Sequence, residues 1–433
     1  MAKACYVGVG GKARKVKKIY MGVSNVARKV KKGYVGVGGI ARPFFSGEPE
    51  LAYYGRATDL SVWHGDLAAT TVGNYALFGG GHQYQSTVDA YSNILVRSTP
   101  TELSGGRSLL AATTVGNYAL FGGGHQYQST VDAYSNILVR STPTELSGGR
   151  SLLAATTVGN YALFGGGHQY QTYVDAYSDT LVRSTPTGLS VGRSHLAATT
   201  VGNYALFGEG YGNGSNQSTV DAYSDTLVRS TPTELSLARY YLTATTVGNY
   251  ALFGGGNGGG HSTVVDAYSD SLVRSTPTGL SVGRSALSAT AVGKYALFGG
   301  GTKGSETSST VDAYSDTLVR STPKELRVPL QKNAATTVGT YALFGGGIIT
   351  YGTIYKIVDA YSDSLVQSAP PSLSADRYAL AATTVGNYAL FGGGYEKSGN
   401  SSNSEKVDVY ITGDVPGGHF VPEIPPTTSE VNP

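Results

Sequence analysis

The protein has 433 residues, among them 61 Gly and 32 Tyr, and only 14% of its residues are charged. This length suits one large repeat domain with appendages, and the high glycine content favours short strands and tight turns over helices. The single cysteine, Cys5, excludes an internal disulfide and a zinc site built from cysteines. No apolar run approaches the roughly 18–20 residues that a transmembrane helix needs, so we expect no membrane span.

The formal net charge of +3 is the sum of a basic N-terminal arm and a mildly acidic remainder of the chain. Residues 1–47 contain 11 Lys and Arg and no acidic residue, whereas the remaining residues carry 21 basic and 29 acidic side chains. The N-terminus lacks the apolar core of a secretory signal. We therefore expect synthesis in the cytoplasm without a signal peptide. A virion or extracellular location would require another route, such as release by lysis.

Residues 3–44 repeat a short pattern with a period of 14 residues. Tyr-x-Gly-Val begins at Tyr6, Tyr20 and Tyr34, and each copy continues through a turn pair into a return segment such as 13–16. Two short β-prone runs around Gly-Gly or Ser-Asn are typical of a β-hairpin. The pattern predicts a small basic β-hairpin meander over residues 1–47, with a role in anchoring or oligomerisation.

The motif Tyr-Val-Gly-Val-x-x-x-Ala-Arg-Lys-Val-Lys-Lys in this arm resembles repeats of tail-associated and structural proteins from phages and prophages of Firmicutes. The resemblance implies contact with a tail protein, or with further copies of the chain, through residues 1–47. The positive charge would also attract nucleic-acid phosphates. We do not expect nucleic acid as the partner, because the aromatic residues occur once per hairpin and form no recognised RNA-binding signature.

The rest of the chain is organised around the phrase Tyr-Ala-Leu-Phe-Gly, which occurs eight times at spacings of 43 to 47 residues. Its copies begin at Tyr75, Tyr118, Tyr161, Tyr204, Tyr250, Tyr295, Tyr341 and Tyr388. Each is followed by Val-Asp-Ala-Tyr or, at 407–410, by Val-Asp-Val-Tyr. A unit such as 193–239 contains four short β-prone segments separated by turns, which is typical of one β-propeller blade.

The order of Arg, a small-residue strand, Tyr-x-x-Phe-Gly-Gly, Val-Asp-x-Tyr and Pro resembles the kelch repeat over most of the chain. The resemblance implies a propeller of the kelch and galactose-oxidase-like superfamily, some members of which are copper oxidases. Kelch units usually carry Trp early in the fourth strand, where this chain has residues such as Leu227 and Val228. The only tryptophan, Trp63, precedes the first unit.

The number of strands predicts how the ring closes. Eight second and eight third strands are followed by only seven fourth strands, because the pattern stops after Tyr410. The segment near 51–54 is the candidate for the missing strand. We predict an all-β fold, a β-propeller of eight four-stranded kelch-like blades closed by an N-terminal strand, with seven blades as the alternative. The propeller would occupy residues 48–414, and a disordered Pro-rich tail residues 415–433.

Few residues suggest catalysis or metal binding. His82, His125 and His168 occupy the same place in three successive loops, but adjacent blades should hold them too far apart to share an ion. Cys5 in the basic arm is a poor candidate for galactose-oxidase chemistry, and no nucleophile elbow, phosphate loop or His-Glu-x-x-His motif occurs. The aspartate of Val-Asp-Ala-Tyr occurs in every unit, which predicts a structural role. We expect no enzyme activity, no catalytic residues, no metal and no cofactor.

The segment between the second and third strands varies most among the units. Strand alternation places it on the same face of the ring as the connections from fourth to first strands. Variable loops on one face of a rigid scaffold are typical of binding proteins, and Tyr with Asn suits protein or glycan epitopes. The candidate binding residues are Tyr84, Tyr127, Tyr170, Tyr211, Asn213, Asn216, Tyr351, Tyr355, Lys356, Tyr395, Glu396 and Lys397.

These observations favour a non-enzymatic binding or structural protein with a protein or glycan ligand on the variable-loop face. The leading hypothesis is a phage or prophage tail-associated receptor- or glycan-binding protein. The first alternative is a bacterial kelch-repeat scaffold for protein–protein interactions. The second alternative is a carbohydrate-active or oxidase-like propeller enzyme.

Overall fold

The computed structural model describes residues 50–350, 352–397 and 402–413, together with the backbone of six strands between residues 6 and 46. Its regular elements are β-strands, and no helix occurs within these described residues. The chain divides into a compact unit that includes residues 1–51 and a second that includes residues 52–411. The predicted tail, 415–433, lies outside the described residues, and the predicted domain boundaries stay predictions.

Three antiparallel hairpins lie in the N-terminal unit, as the 14-residue period predicts. Their strands are Tyr6–Val9 with Lys12–Lys15, Tyr20–Val23 with Val26–Lys29, and Lys32–Val37 with Ile40–Ser46. Among the described residues, each hairpin forms a two-stranded sheet of its own. The meander is therefore a succession of separate hairpins, and its role in anchoring or oligomerisation stays a prediction.

Eight four-stranded antiparallel sheets form the blades of a β-propeller, which confirms the predicted architecture. Seven of the blades take their four strands consecutively from one stretch of chain. The strands are Ala68–Val72, Tyr75–Gly79, Val88–Ser92 and Arg97–Ser98 in blade 1; Ala111–Val115, Tyr118–Gly122, Val131–Ser135 and Arg140–Ser141 in blade 2; Ala154–Val158, Tyr161–Gly165, Val174–Ser178 and Arg183–Ser184 in blade 3; Ala197–Val201, Tyr204–Gly208, Val220–Ser224 and Arg229–Ser230 in blade 4; Thr243–Val247, Tyr250–Gly254, Val265–Ser269 and Arg274–Ser275 in blade 5; Ser288–Val292, Tyr295–Gly299, Val311–Ser315 and Arg320–Ser321 in blade 6; Ala334–Val338, Tyr341–Gly345, Val358–Ser362 and Gln367–Ser368 in blade 7; and Ala381–Val385, Tyr388–Gly392, Val407–Thr412 and Leu51–Arg56 in blade 8.

The eighth blade joins the two ends of the propeller segment. Its outer strand, Leu51–Arg56, lies beside Val407–Thr412, so the N-terminal strand closes the last blade as predicted. The first strand of blade 8 also packs against the first strand of blade 1. The ring therefore has eight blades, and the seven-blade alternative is wrong. Such closure covers strand edges that would otherwise be free to pair with other chains.

The phrase Tyr-Ala-Leu-Phe-Gly forms the second strand of every blade, and its uniformity reflects packing against the next blade. In blade 3, Phe164 meets Tyr177 of the third strand edge-on, with 6.0 Å between the ring centroids. Gly165 ends the strand, and a Cβ atom there would lie only 2.7 Å from the ring of Phe207 in blade 4. Leu163 and Phe207 belong to one hydrophobic cluster, so each core is shared by two blades. A single repeat could not bury its apolar face alone.

We expect Gly165→Ala to lower the free energy of unfolding by about 1–3 kcal/mol, the usual range for overpacking a filled core. The added methyl group would press on Phe207, which the surrounding cluster holds in place. Denaturant unfolding measures the change. Gly260→Ala is the matched control, because no atom lies within 4 Å of its Cβ position. Equal losses in the two variants would contradict the packing argument.

A buried Arg–Asp pair recurs in six of the eight blades and confirms the structural role of the repeated aspartate. In blade 4, Arg193 Nη2 donates to Asp221 Oδ2 at 2.8 Å, and both side chains are fully buried. The same nitrogen donates to the carbonyl oxygen of Phe207 at 3.0 Å, which ties the pair to the second strand. The six pairs are Arg107–Asp132, Arg150–Asp175, Arg193–Asp221, Arg239–Asp266, Arg284–Asp312 and Arg377–Asp408.

Threonines of the innermost strands link neighbouring blades around the axis. The hydroxyl oxygens of Thr70 and Thr114 are 2.8 Å apart, and Thr114 also donates to the carbonyl oxygen of Thr71 at 2.6 Å. Equivalent threonine pairs occur at seven of the eight blade junctions. The junction between blades 5 and 6 differs because Ala291 stands where the other blades have threonine.

Candidate functional site

The strand registers place all the variable loops on one face of the ring. In blade 1, Ala68 at the start of the first strand pairs with Gly79 at the end of the second. Gly79 in turn pairs with Val88 at the start of the third strand. The loop between Gly79 and Val88 therefore lies at the same end of the blade as the connection into the first strand. The other blades repeat this register, and we call this end of the propeller the loop face.

Three equivalent tyrosines on the loop face of blades 1 to 3 are exposed to solvent. They are Tyr84 (45% exposed), Tyr127 (47%) and Tyr170 (39%). Tyr84 stacks on His125 of the next blade with 5.3 Å between the ring centroids, and Tyr127 stacks on His168 at 5.5 Å. In blade 4 the aromatic partner is a tyrosine, because Tyr170 meets Tyr211 at 5.9 Å. Each exposed tyrosine thus contributes to an aromatic pair across a blade junction.

The three equivalent histidines have different aromatic neighbours. His82 packs against Tyr395 of blade 8, whereas His125 and His168 stack on tyrosines of the blades that precede them. Within the described residues, no group of three or more His, Cys, Asp or Glu side chains is placed to hold a metal ion. The expectation that the protein uses neither a metal nor a cofactor stays a prediction.

The loop of blade 4 forms a small hairpin, with Tyr211–Gly212 paired to Ser215–Asn216. Tyr211 is half-buried, whereas Asn213 is exposed at the tip of the hairpin in the left-handed conformation, with φ of 51°. The side-chain amide of Asn216 donates to the carbonyl oxygen of Asn257 in the next blade at 3.4 Å. Of these three candidate residues, Asn213 is therefore the most accessible to a ligand. A similar hairpin in blade 6 pairs Thr302–Lys303 with Glu306–Thr307.

The candidate residues of blades 7 and 8 differ in accessibility. Lys356 and Lys397 are exposed, and Tyr355 is half-buried. Glu396 accepts a hydrogen bond from Lys406 Nζ at 2.7 Å. Burial alone would raise the pKa of Glu396, but the bonds from Lys406 and Ser404 outweigh it and lower this pKa. Tyr351 lies outside the described residues.

Tyr395 departs from the expectation of a surface side chain, because it is only 1% exposed. Its hydroxyl donates to Asp66 Oδ2 at 2.8 Å, and its ring packs against His82 and Tyr378. Gly65 lies so close that a Cβ atom there would overlap the tyrosine ring. The burial arises because the segments that enter blades 1 and 8 both pack on this ring. Tyr395 therefore stabilises the loop face at the closure of the propeller.

Sequence reasoning missed a ring of residues around the axis on the loop face, which we call the mouth ring. Each member lies two positions before a first strand and has a left-handed backbone with φ between 51° and 56°. Main-chain hydrogen bonds join neighbours, as where His195 N donates to the carbonyl oxygen of Leu152 at 3.3 Å. The members are Asp66, Leu109, Leu152, His195, Tyr241, Ala286, Lys332 and Ala379. The signal in the sequence was that this position varies while the residue after it is leucine in seven of the eight units.

The mouth ring brings together aromatic and charged side chains. The rings of His195 and Tyr241 are 5.0 Å apart, and burial together with nearby His168 lowers the pKa of His195. On another side of the axis, Lys332 Nζ lies 5.7 Å from the ring centroid of Tyr378. Five rings contact one another in succession, and we call this set the aromatic run: Tyr170, Tyr211, Tyr240, Tyr241 and His195. It joins the loops of blades 3 and 4 to the mouth ring, and its flat rings with polar edges suit ligand binding.

Fold and site together define an eight-bladed β-propeller with variable loops on one face. No protein-family model matches this chain, and neither does any curated protein. In the part of the chain that the structure describes, no helix has the length and apolar character needed to cross a membrane.

Proposed function

We propose that the protein is a non-enzymatic binding protein that captures a glycan or protein receptor on its loop face. The observation that carries the proposal is the aromatic run, which includes the 46% exposed Tyr241 of the mouth ring. Tyrosine offers a large, rigid contact area at a small cost in conformational entropy, and it is enriched among the residues that dominate binding energy. The position of this run on a rigid ring of blades supports a preorganised binding surface.

Within this proposal, residues 1–47 attach the propeller to a phage or prophage tail, or to further copies of the chain. The supporting observations are the 14-residue repeat with its tail-protein motif and the accumulation of 11 basic residues in this segment. The protein should then co-purify with phage particles after lysis. Recovery exclusively from host cytosol would contradict the tail placement and favour a kelch-type intracellular scaffold.

The loop-face assignment predicts a loss of binding when the exposed ring of Tyr241 is removed from the aromatic run. We expect Tyr241→Ala in the full chain to weaken binding about tenfold, which corresponds to about 1.4 kcal/mol. Binding is measured on printed glycans and on intact host cells. Val228→Ser is the matched control, because Val228 is exposed in the turn between third and fourth strands, at the opposite end of a blade. Unchanged binding by Tyr241→Ala with a loss by Val228→Ser would place the ligand on the other face.

A further inference from the structure

We propose that blades 1 to 3 carry three equivalent saccharide subsites at the blade junctions occupied by Tyr84, Tyr127 and Tyr170. This inference rests on the proposed function and names a ligand class for the same face. In the first two subsites the exposed tyrosine stacks on a histidine of the next blade, with interplanar angles of 25° and 29°. In the third, Tyr211 takes the place of the histidine. The subsites therefore share one construction at three consecutive junctions.

The backbone of these loops is held in an unfavourable conformation that keeps the tyrosine at the surface. Gln83 and Tyr84 have φ of 59° and 58°, and the same consecutive pair recurs in blades 2 and 3. A left-handed backbone costs about 1–2 kcal/mol for each residue that has a Cβ atom. Gly106 makes room for the turn, because a Cβ atom there would overlap the carbonyl oxygen of Tyr84. The exposed tyrosines gain little burial in return, and strain of this kind is concentrated at ligand sites.

The side chains next to each tyrosine in its loop are able to form hydrogen bonds. The side chains of Gln83, Gln126 and Gln169 are exposed, and none of them donates to or accepts from another described residue. His125 and His168 are also exposed, and their ring faces stack on the tyrosines. The C–H face of a sugar can stack on a tyrosine ring while its hydroxyls exchange hydrogen bonds with amides and imidazoles. The segments 82–85, 125–128 and 168–171 contain no Asp, Glu, Lys or Arg, which favours a sugar without a charged group.

A saccharide fits these subsites better than a protein partner does. Protein recognition concentrates binding energy in a well-packed, desolvated centre of the interface and uses contiguous apolar patches. The three tyrosines instead lie on separate loops, and each has an exposed glutamine beside it. Their ring neighbours are the histidine or tyrosine of the next blade, so the exposed tyrosines of blades 1 and 2 do not pack on one another.

Repetition of the subsite points to a ligand that is itself repetitive. Because the eight blades form a closed ring, successive subsites are related by a turn of about 45° around the axis. Binding at one subsite raises the effective concentration of the next sugar near its neighbour, so avidity can exceed single-site affinity by about 10²–10⁴. The ligand class is therefore a neutral glycan displayed as a polymer or as a dense surface.

The test compares subsite variants of the full chain on neutral glycans printed at low and high density. We expect stepwise weakening at high density as Tyr84→Ala, Tyr127→Ala and Tyr170→Ala are combined, by about tenfold per subsite. The corresponding Tyr→Phe variants keep the rings and should retain binding. Val96→Ser, an exposed position on the turn between third and fourth strands, is the control for nonspecific surface change. Melting temperature establishes that each variant remains folded.

The outcomes separate this inference from the proposed function. A folded triple alanine variant that binds glycans as tightly as the parent would overturn the subsites, as would binding to a protein receptor with no glycan bound. In either case the proposed function of the loop face would stand. If the parent chain bound neither glycans nor host cells, the proposed function itself would fail. Stepwise loss with retention by the Tyr→Phe variants would support the three subsites.

Discussion

Arg193→Leu is expected to lower the free energy of unfolding by about 3–5 kcal/mol, the range for removing one partner of a buried ion pair. The substitution would leave the carboxylate of Asp221 fully buried without its guanidinium. Asp221 would keep the main-chain donor Ser190 N at 2.9 Å, but the carbonyl oxygens of Phe207 and Val191 would lose Arg193 as a donor. Leucine restores neither the charge nor these hydrogen bonds. Chemical denaturation measures the loss.

Two comparison variants identify the cause of that loss. Arg229→Ala removes a second arginine near the same carboxylate, but that side chain is 26% exposed and lies 3.7 Å away, so we expect a loss of at most about 1 kcal/mol. The double variant Arg193→Leu/Asp221→Asn removes both charges and should recover part of the stability, because the uncompensated carboxylate is gone. Equal losses for Arg193→Leu and Arg229→Ala would contradict the account.

Blade 7 shows how the chain itself compensates for a missing arginine. Leu330 occupies the place of the buried arginine there, and Arg327 approaches the aspartate from three residues earlier. Arg327 Nε donates to Asp359 Oδ1 at 2.9 Å, and its main-chain N–H donates to Oδ2 of the same carboxylate at 3.1 Å. One residue thus supplies the two roles that an arginine and a serine divide in other blades. Asp359 is therefore paired with an arginine, although that arginine stands three positions earlier than in the six blades with a buried pair.

Blade 1 compensates less completely, because His64 stands in the place of the arginine. His64 is bonded to Thr87 at 3.0 Å, and burial lowers the pKa of its imidazole to about 4. Asp89 keeps Ser61 N as a donor at 3.0 Å, while burial raises the pKa of its carboxyl. Neither His64 Nδ1 nor Asp89 Oδ1 has a hydrogen-bond partner among the described residues. Blade 1 therefore lacks a buried guanidinium beside its carboxylate, and the nearest arginine, Arg97, is 27% exposed and lies 3.5 Å from Asp89 Oδ1.

Glu209→Gly is expected to raise the free energy of unfolding, with about 1–3 kcal/mol from relief of backbone strain alone. Glu209 has φ of 62° at a position where the other seven blades have glycine with positive φ. Its carboxyl is fully buried, and Leu242 N is its only hydrogen-bond donor among the described residues, at 3.3 Å. Burial raises the pKa of Glu209 well above its ordinary value, although Leu242, Arg239 and Arg193 act in the opposite direction.

The sign of the pH dependence follows from this raised pKa. Protonated Glu209 is favoured in the folded state, so its contribution to stability is fully present below its ordinary pKa of 4.5 and is lost as pH rises through the higher folded-state pKa. The advantage of Glu209→Gly should therefore grow with pH above about 4.5. Glu209→Gln keeps the strained backbone but removes the charge. Its gain in stability over the parent chain should therefore consist only of the part that depends on pH. A stability difference that stays constant with pH would contradict the burial of an ionisable carboxyl.

The blade count and the closure of the ring could be predicted because they depend on periodicity and strand order. Eight copies of Tyr-Ala-Leu-Phe-Gly with one fourth strand missing at the C-terminal end required a partner such as Leu51–Arg56. The exposure of individual loop side chains could not be predicted in the same way. Tyr84 and Tyr395 both follow copies of that phrase, yet Tyr84 is exposed and Tyr395 is buried.

The sequence by itself determined the architecture of this protein, because near-identical repeats must make near-identical contacts with their neighbours. It also determined which face carries the variable loops, since strand direction alternates along each blade. Only the tertiary structure decided which side chains on that face remain available, because their burial depends on residues distant in the chain. Tyr395 is bonded to Asp66 across a separation of 329 residues, and the mouth ring draws one residue from each of eight blades. The contact between Tyr395 and Asp66 arises from ring closure and has no local sequence signature.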